Sequence, residues 1–168
     1  PLREGAADRE LVDLRGVVQD TLAIFGHRFR SAGVAVSVTD DGFPAISATH
    51  GHAMQIVLAL LDNAAYWLRH HDGDAPPAVR IHLWARGKSG GLIVADNGPG
   101  ISPALARAIF EPFYTTRREG LGLGLFIVRM LLERYDGRID VLDDDRLLPG
   151  ANLRVRFRLA DATGGADR

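Results

Sequence analysis

Two kinds of hydrophobic spacing alternate along the sequence, and together they restrict the fold to layers of helices and strands. Across residues 11–29 and 54–68, apolar residues recur every three or four positions, which predicts two amphipathic helices. A third stretch with this spacing covers residues 123–135. The side chains expected on the inner side of this third helix are Phe126, Ile127, Met130 and Leu131.

Other stretches alternate apolar with polar residues, which is the spacing of half-buried strands. Residues 78–86 show this pattern, and a glycine-containing turn at 88–91 leads into the apolar run 92–95, which predicts a β-hairpin. The remaining strands are predicted at residues 34–39, 45–47, 138–142 and 152–159.

These elements predict an α/β (α+β) two-layer sandwich, in which three helices cover one face of a mixed, mostly antiparallel sheet of about five strands. A chain of 168 residues is long enough for one core. We expect an N-terminal linker at residues 1–10, a binding and catalytic domain at 11–159 and a flexible tail at 160–168.

Composition narrows the function classes. The formal net charge is −1, so no overall field attracts nucleic acid, and we expect no nucleic-acid partner. The absence of cysteine excludes disulfides and thiol chemistry. No apolar run reaches the roughly 18 residues of a membrane span, so we expect a soluble, cytoplasmic domain, and the sequence leaves open whether the parent protein is membrane-anchored.

Asn63 follows Leu61 and Asp62 in the second predicted helix, and its angular position points it away from the main apolar stripe. Ala59 and Tyr66 share its face. An amide oxygen in this position could complete the ligand shell of a magnesium ion that is already bound to phosphate. A solvent-facing helix residue is the alternative interpretation.

Asp96 ends a predicted buried strand and is followed by Gly98 and Gly100. A carboxylate there could accept a hydrogen bond from an amino group such as that of adenine, and the glycines would let a planar ring approach the backbone. A simple turn after the strand is the alternative, because the segment 96–100 is rich in turn-forming residues.

Gly120, Gly122 and Gly124 precede and open the third predicted helix. Backbone N–H groups at a helix N-terminus bind anions, so the segment is a candidate phosphate site, although a flexible hinge would explain it equally well. Residues 101–119 form a candidate lid, which we expect to be mobile. The pair Arg117 and Arg118 in this lid could reach terminal phosphate oxygens or could simply be solvated.

Taken in order, segments 61–64, 96–100, 110–113 and 120–124 resemble the N box, first glycine box, F box and second glycine box of the ATP-binding catalytic domains of sensor histidine kinases. The superfamily of these domains also includes Hsp90-type chaperones, type II topoisomerases and mismatch-repair ATPases. The resemblance covers residues 11–159, and it implies a domain that binds ATP and Mg²⁺ and passes the γ-phosphoryl group to a histidine.

The same resemblance implies roles for individual residues. Asn63 would bind the metal, and Asn63 and Arg117 would be the catalytic residues. Trp67 could stack on adenine or could equally be a core or rim residue. The implied nucleotide-binding residues are Asn63, Tyr66, Trp67, Asp96, Gly98, Gly100, Ile101, Phe110, Thr115, Thr116, Gly120, Leu121, Gly122, Leu123, Gly124 and Leu125.

Ala59 departs from the family pattern. It lies four residues before Asn63, where the ATP-hydrolysing relatives carry a water-activating glutamate and many kinases carry an asparagine. A methyl group cannot act as a base, which favours phosphoryl transfer over hydrolysis. The departure also leaves two alternatives open, a pseudokinase that serves as a nucleotide-binding docking module and, more remotely, an ATPase of the chaperone or topoisomerase type.

The resemblance also implies partners. The acceptor histidine would lie on a helical phosphoacceptor and dimerisation domain, which we expect outside these 168 residues, and the phosphoryl group would pass on to a response regulator receiver domain. We expect the isolated domain to be a monomer and the full-length kinase to be a homodimer.

Overall fold

The computed structural model describes residues 9–42, 44–69, 71–117, 120–144 and 146–160. Three α-helices, seven strands and a short 3₁₀ helix, Ala108–Phe110, occur in these residues. In chain order the helices and strands are β1 (Glu10–Asp13), α1 (Leu14–Ser31), β2 (Ala35–Asp40), β3 (Ala45–Ala48), α2 (His50–Leu68), β4 (Ala78–Arg86), β5 (Ser89–Asp96), α3 (Gly124–Glu133), β6 (Arg138–Val141) and β7 (Asn152–Arg158).

Five strands form the main sheet, in the order β2-β4-β5-β7-β6. Only the β2–β4 pair is parallel among the described strands of this sheet, and the other neighbours are antiparallel. The hairpin β4–β5 turns at Gly87, which has a φ of 59°. The predicted α/β sandwich with a mixed, mostly antiparallel sheet of about five strands and three helices is confirmed.

Helix α2 lies in the middle of the helical layer, where it contacts both α1 and α3 and also β5. Leu60 and Leu61 of α2 are completely buried, as are Ile81 on β4 and Leu92 on β5. The core therefore lies between the helices and the sheet, and it fixes the orientation of α2 around its own axis. This orientation determines which side chains of α2 face the cleft described below.

The start of the first helix differs from the prediction. Apolar spacing predicted a helix from Leu11, but Glu10–Asp13 is a strand that pairs antiparallel with β3. Asp13 has extended backbone angles and its carboxylate accepts a hydrogen bond from the Arg15 N–H, which is the geometry of a helix N-cap. The helix therefore begins at Leu14.

The inner side of the third helix was predicted only in part, since Leu131 packs against the core but two of the other predicted residues are exposed. Val128 and Leu132 are completely buried, whereas Met130 is 54% exposed and Ile127 is 36% exposed. Most residues of α3 are apolar, so apolar spacing alone did not distinguish its faces. Packing against α2 and β6 determines which face of α3 is buried.

Candidate functional site

A cleft of about 390 Å³ opens between α2 and the segment that leads into α3. This volume is within the range of small-molecule sites in proteins. The cleft brings together residues of the predicted N box, lid and second glycine box, which are far apart in sequence. Its lining residues are Ala59, Asp62, Asn63, Trp67, Ile109, Tyr114, Thr115, Thr116, Arg117, Gly120, Leu121, Gly122, Leu123, Gly124 and Leu125.

Asn63 faces this cleft from the C-terminal half of α2. Only 8% of the residue is exposed, which excludes the interpretation of a solvent-facing helix position. Its side-chain oxygen Oδ1 accepts a hydrogen bond from Arg117 at 3.1 Å. Asn63 thus offers a neutral oxygen ligand on the cleft wall, which is a donor that Mg²⁺ accepts when phosphate and water supply the remaining ligands.

Arg117 crosses the cleft from the predicted lid to α2. One guanidinium nitrogen donates to Asn63, and another donates to Asp62 Oδ2 at 3.0 Å. The guanidinium carbon lies 4.3 Å from the centre of the Tyr66 ring, a cation–π contact. The side chain of Arg117 is therefore ordered against α2 and is only 24% exposed, so it is no solvated charge.

The glycine-rich segment forms the opposite wall. Gly122 has a φ of 68°, and a Cβ there would lie 2.6 Å from the backbone oxygen of Tyr114, so no other residue fits without a shift of the backbone. Gly124 opens α3, and the preceding Leu123 provides no side-chain cap. The first N–H groups of α3 are thus available to an anion in the cleft, as the phosphate-site prediction requires.

Asp96 lies at the end of β5 and is only 3% exposed. Its Oδ1 accepts hydrogen bonds from the N–H groups of Gly98, at 2.9 Å, and Ala151, at 3.2 Å. Burial raises the pKa of Asp96 above its ordinary value, and the two backbone hydrogen bonds and the nearby His71 partly offset this effect. A buried carboxylate of this kind is a candidate for a specific polar contact with a ligand.

Asp96, Gly98 and Gly100 are not among the residues that line the cleft. A Cβ on Gly98 would be 3.7 Å from the backbone carbon and the Cβ of Trp67, which does line the cleft, so Gly98 lies beside that residue. Gly100 has a φ of 79° and faces Gly150. A ligand contact with Asp96, Gly98 or Gly100 therefore stays a prediction.

The other predicted nucleotide-binding residues divide into two groups. Trp67, Thr115, Thr116 and the segment 120–125 line the cleft. Tyr66 lies under Arg117 instead, while Phe110 is 6% exposed in the hydrophobic core and Ile101 packs against that core. Arg118 of the predicted lid lies outside the described residues.

Sequence reasoning missed four residues that support the site. Asp62 binds Arg117, and Arg28 of α1 binds the other oxygen of Asp62 at 3.0 Å. Gly150 and Ala151, which directly precede β7, form hydrogen bonds with Asp96. Gly150 lies two residues before a predicted strand, but its contact with Asp96 spans more than fifty residues of sequence, so no local pattern could show it.

Comparison with known proteins identifies the same group as the sequence motifs. The family model described as "Histidine kinase-, DNA gyrase B-, and HSP90-like ATPase" matches residues 48–163. The C4-dicarboxylate transport sensor protein DctB of Rhizobium meliloti is 33% identical over 130 residues, which are 76% of this chain and 20% of that protein. The signal transduction histidine-protein kinase AtoS of Escherichia coli is 32% identical over 145 residues, 83% of this chain and 22% of that protein.

Solved structures show the same similarity. The mycobacterial sensor histidine kinase MprB matches with a TM-score of 0.74 and 27% identity, over 90% of this chain and 97% of that one. Full-length ShkA in complex with AMPPNP matches with a TM-score of 0.75 and 28% identity, over 90% of this chain and 32% of that one. The chain spans between 13 and 28% of the length of the first curated relatives that it matches.

Proposed function

This chain belongs to the family of histidine kinase-, DNA gyrase B- and HSP90-like ATPases, and we propose on that basis that it is the ATP-binding catalytic domain of a sensor histidine kinase. The predicted resemblance to this family is confirmed. The proposed reaction transfers the γ-phosphoryl group of ATP to a histidine on the phosphoacceptor and dimerisation domain of the parent protein. A response regulator receiver domain would then accept the group.

The main observation behind this proposal is that Asn63 and the segment Gly120–Gly124 line the same cleft. A neutral oxygen ligand lies on one wall, and the first N–H groups of α3, which Leu123 does not cap with its side chain, lie on the other. This arrangement suits a magnesium-bound triphosphate, because the metal and the helix N-terminus bind different oxygens of the same phosphate chain. The AMPPNP complex of the similar kinase ShkA supports a nucleotide site in this chain as well.

Magnesium fits the residues that are present. The ion usually keeps several waters and takes one or two protein oxygens together with substrate phosphates, so the single amide of Asn63 is sufficient. When bound, Mg²⁺ neutralises phosphate charge and orients the γ-phosphoryl group. Asn63 would fix the position of the ion, the backbone N–H groups at the start of α3 would orient the phosphates, and Arg117 would supply a cation for the terminal phosphate.

We further infer that Asp96 selects adenine. Its carboxylate has acceptor oxygens only, and Gly98 and Ala151 bind the same oxygen, Oδ1, which leaves Oδ2 for an amino group. Trp67 lines the cleft and lies beside Gly98, so it would stack on the ring from one side. Thr115 and Thr116 would close over the phosphates from the lid. Tyr66, Ile101, Phe110, Leu121, Leu123 and Leu125 would complete the shape of the site.

Ala59 lines the cleft next to Asn63, in the position from which a base would activate water. A methyl group cannot accept a proton, so we expect slow hydrolysis and a phosphoryl group reserved for an incoming side chain. The same residue supports a second candidate, a docking module that binds nucleotide without transferring phosphate. Among the described residues, no helix is both long and apolar enough to cross a membrane. Separately, the similarity to sensor histidine kinases leads us to propose that the domain acts in the cytoplasm.

The test is transfer of labelled phosphate from [γ-³²P]ATP to the phosphoacceptor domain of the parent protein. We expect an acid-labile, alkali-stable phosphohistidine that forms with Mg²⁺ and fails to form with EDTA. Asn63→Ala should remove the label while the fold, measured by circular dichroism, is retained. Binding of nucleotide without transfer would favour the docking module, and rapid phosphate release by the chain alone would favour an ATPase.

A further inference from the structure

We propose that Asp62 is a positioning residue that holds Arg117 against Asn63, so that binding of a magnesium nucleotide has to break this contact. Asp62 and Arg117 are called the latch pair below. The proposal rests on the proposed function of the cleft and adds to it a residue that sets the affinity for the metal nucleotide. Neither the motifs nor the family resemblance assigned a role to Asp62.

The contacts of Arg117 supply the first argument. Its guanidinium donates to Asp62 Oδ2 at 3.0 Å and to Asn63 Oδ1 at 3.1 Å, and it lies on the ring of Tyr66. All three partners belong to one turn of α2. Arg117 is therefore held on the metal-binding side of the cleft by a carboxylate, an amide and an aromatic face at once.

The second argument is competition for one oxygen. The Asn63 oxygen that would bind Mg²⁺ is the same oxygen that accepts the Arg117 hydrogen bond. A magnesium–oxygen bond is about 2.1 Å long, so the ion and the guanidinium would be two cations within a few ångströms of each other. Because like charges repel strongly at that separation, the metal and Arg117 cannot both bind Asn63 in this arrangement.

Arg28 explains how the latch pair can open without leaving a charge unpaired. Arg28 of α1 binds Asp62 Oδ1 at 3.0 Å, while Arg117 binds Oδ2, so the carboxylate has one cation on each oxygen. When Arg117 moves to the phosphates, Asp62 remains paired with Arg28. Arg117 in turn exchanges one anion for another, so both ends of the contact stay compensated.

Exposure indicates how strong the latch pair is. The side chain of Asp62 is 41% exposed and that of Arg117 is 24% exposed, so solvent screens their attraction. Partly exposed ion pairs contribute little, and we therefore expect the contact to lower the affinity for the magnesium nucleotide by about 2- to 5-fold. The contact would open readily and would tune binding without blocking it.

The experiment measures binding of AMPPNP with Mg²⁺ by isothermal titration calorimetry in a double-mutant cycle. Asp62→Asn should tighten binding by about 2- to 5-fold, because Arg117 is no longer held away from the phosphates. Removal of a negative charge could also tighten binding directly, so the same change is made in an Arg117→Gln background. The latch pair predicts that Asp62→Asn has no effect there.

Asp140→Asn is the matched control, because Asp140 is also 41% exposed and binds an arginine, Arg154, on the sheet away from the cleft. The Asp140→Asn variant should bind AMPPNP with unchanged affinity. Asp62→Ser is a second variant of the latch pair, which repeats the test with a smaller side chain. An equal gain in AMPPNP affinity with Arg117 and with Gln at position 117, or weaker AMPPNP binding by Asp62→Asn, would contradict the proposed role of the latch pair. Either result would leave the proposed function of the cleft intact. Failure of the unchanged chain to bind AMPPNP would overturn the proposed function together with it.

Discussion

A Cβ atom on Gly150 would lie 2.6 Å from Asp96 Oδ1, so the loop before β7 can support this carboxylate only if residue 150 is glycine. The same atom would lie 2.5 Å from the backbone oxygen of Asp96 and 2.6 Å from the backbone nitrogen of Gly98. These neighbours are the main chain and a hydrogen-bonded carboxylate, which cannot move aside cheaply. The support of Asp96 therefore depends on a close approach of two backbone segments.

Gly150→Ala should destabilise the fold by about 1–3 kcal/mol and weaken nucleotide binding, because the added methyl group pushes Asp96 out of place. Urea unfolding and calorimetry with AMPPNP measure the two effects. Gly51→Ala is the control, since a Cβ at this position in α2 meets nothing within 4 Å and alanine favours the helix. If Gly150→Ala binds AMPPNP with unchanged affinity, Asp96 does not contribute to nucleotide binding.

Asp96→Asn should weaken adenine nucleotide binding by more than about 10-fold while the domain stays folded. Oδ1 can still accept from Gly98 and Ala151 in the variant, but the other side-chain atom becomes an NH₂ donor that opposes the amino group of adenine. The comparison of AMPPNP binding by the two proteins tests this. Equal affinities would contradict the proposed contact between Asp96 and adenine.

The raised pKa of Asp96 predicts a pH dependence of stability with a definite sign. Its ordinary value is 3.8, and burial makes the folded protein hold this proton more tightly than the unfolded chain does. The contribution of Asp96 to stability is therefore fully present below the unfolded value and declines as the pH rises through the folded pKa.

The measurement is the free energy of unfolding of the unchanged chain minus that of Asp96→Asn, followed from pH 4 to pH 7. We expect this difference to become less favourable to the unchanged chain as the pH rises. A difference that grows with pH would mean that the two backbone hydrogen bonds to the carboxylate outweigh its burial.

The fold was largely predictable because its strands alternate clearly and its turns contain glycine. The hairpin β4–β5 follows from Val79, Ile81 and Leu83 alternating with polar residues, a pattern that only a half-buried strand satisfies. The short strand β1 was not predictable in this way. Leu11 of β1 and Leu14 of α1 fit one helical spacing, and only the pairing of β1 with β3 shows that the helix starts at Leu14.

The site was predictable to the extent that its chemistry is local in sequence. Asn63 and the segment Gly120–Gly124 carry their chemistry in their own residue types, and the structure places both on the cleft. Contacts between distant segments gave no such signal. No local pattern assigned a role to Asp62, because its partners Arg28 and Arg117 come from distant segments, α1 and the lid, that only packing brings to it.

The face of α3 gives a prediction about stability. Leu132→Ala should cost about 2–5 kcal/mol, because Leu132 is completely buried and its removal leaves a cavity between α3 and the sheet. Met130→Ala should cost much less, since Met130 is 54% exposed, although the pattern of the sequence placed it on the inner side. Urea unfolding of both variants measures the difference in the free energy of unfolding. Similar losses in the two variants would support the sequence-based prediction that Met130 lies on the inner side of α3.

Ala59→Asn should tighten binding of the magnesium nucleotide by about 2- to 10-fold. Ala59 lines the cleft one helical turn before Asn63, so an amide there could form a hydrogen bond with a phosphate oxygen or with a water on the metal. A single added hydrogen bond contributes about 0.5–1.5 kcal/mol, which corresponds to the expected gain.

Leu58→Asn is the control for the effect of asparagine on α2, because Leu58 is 41% exposed on the same helix. Its affinity should match that of the unchanged chain. If Ala59→Asn folds normally but binds the nucleotide more weakly, the methyl group of Ala59 is itself part of the fit to the nucleotide. Alanine at position 59 would then be explained by the shape of the nucleotide site. It would not indicate that the domain has lost its function.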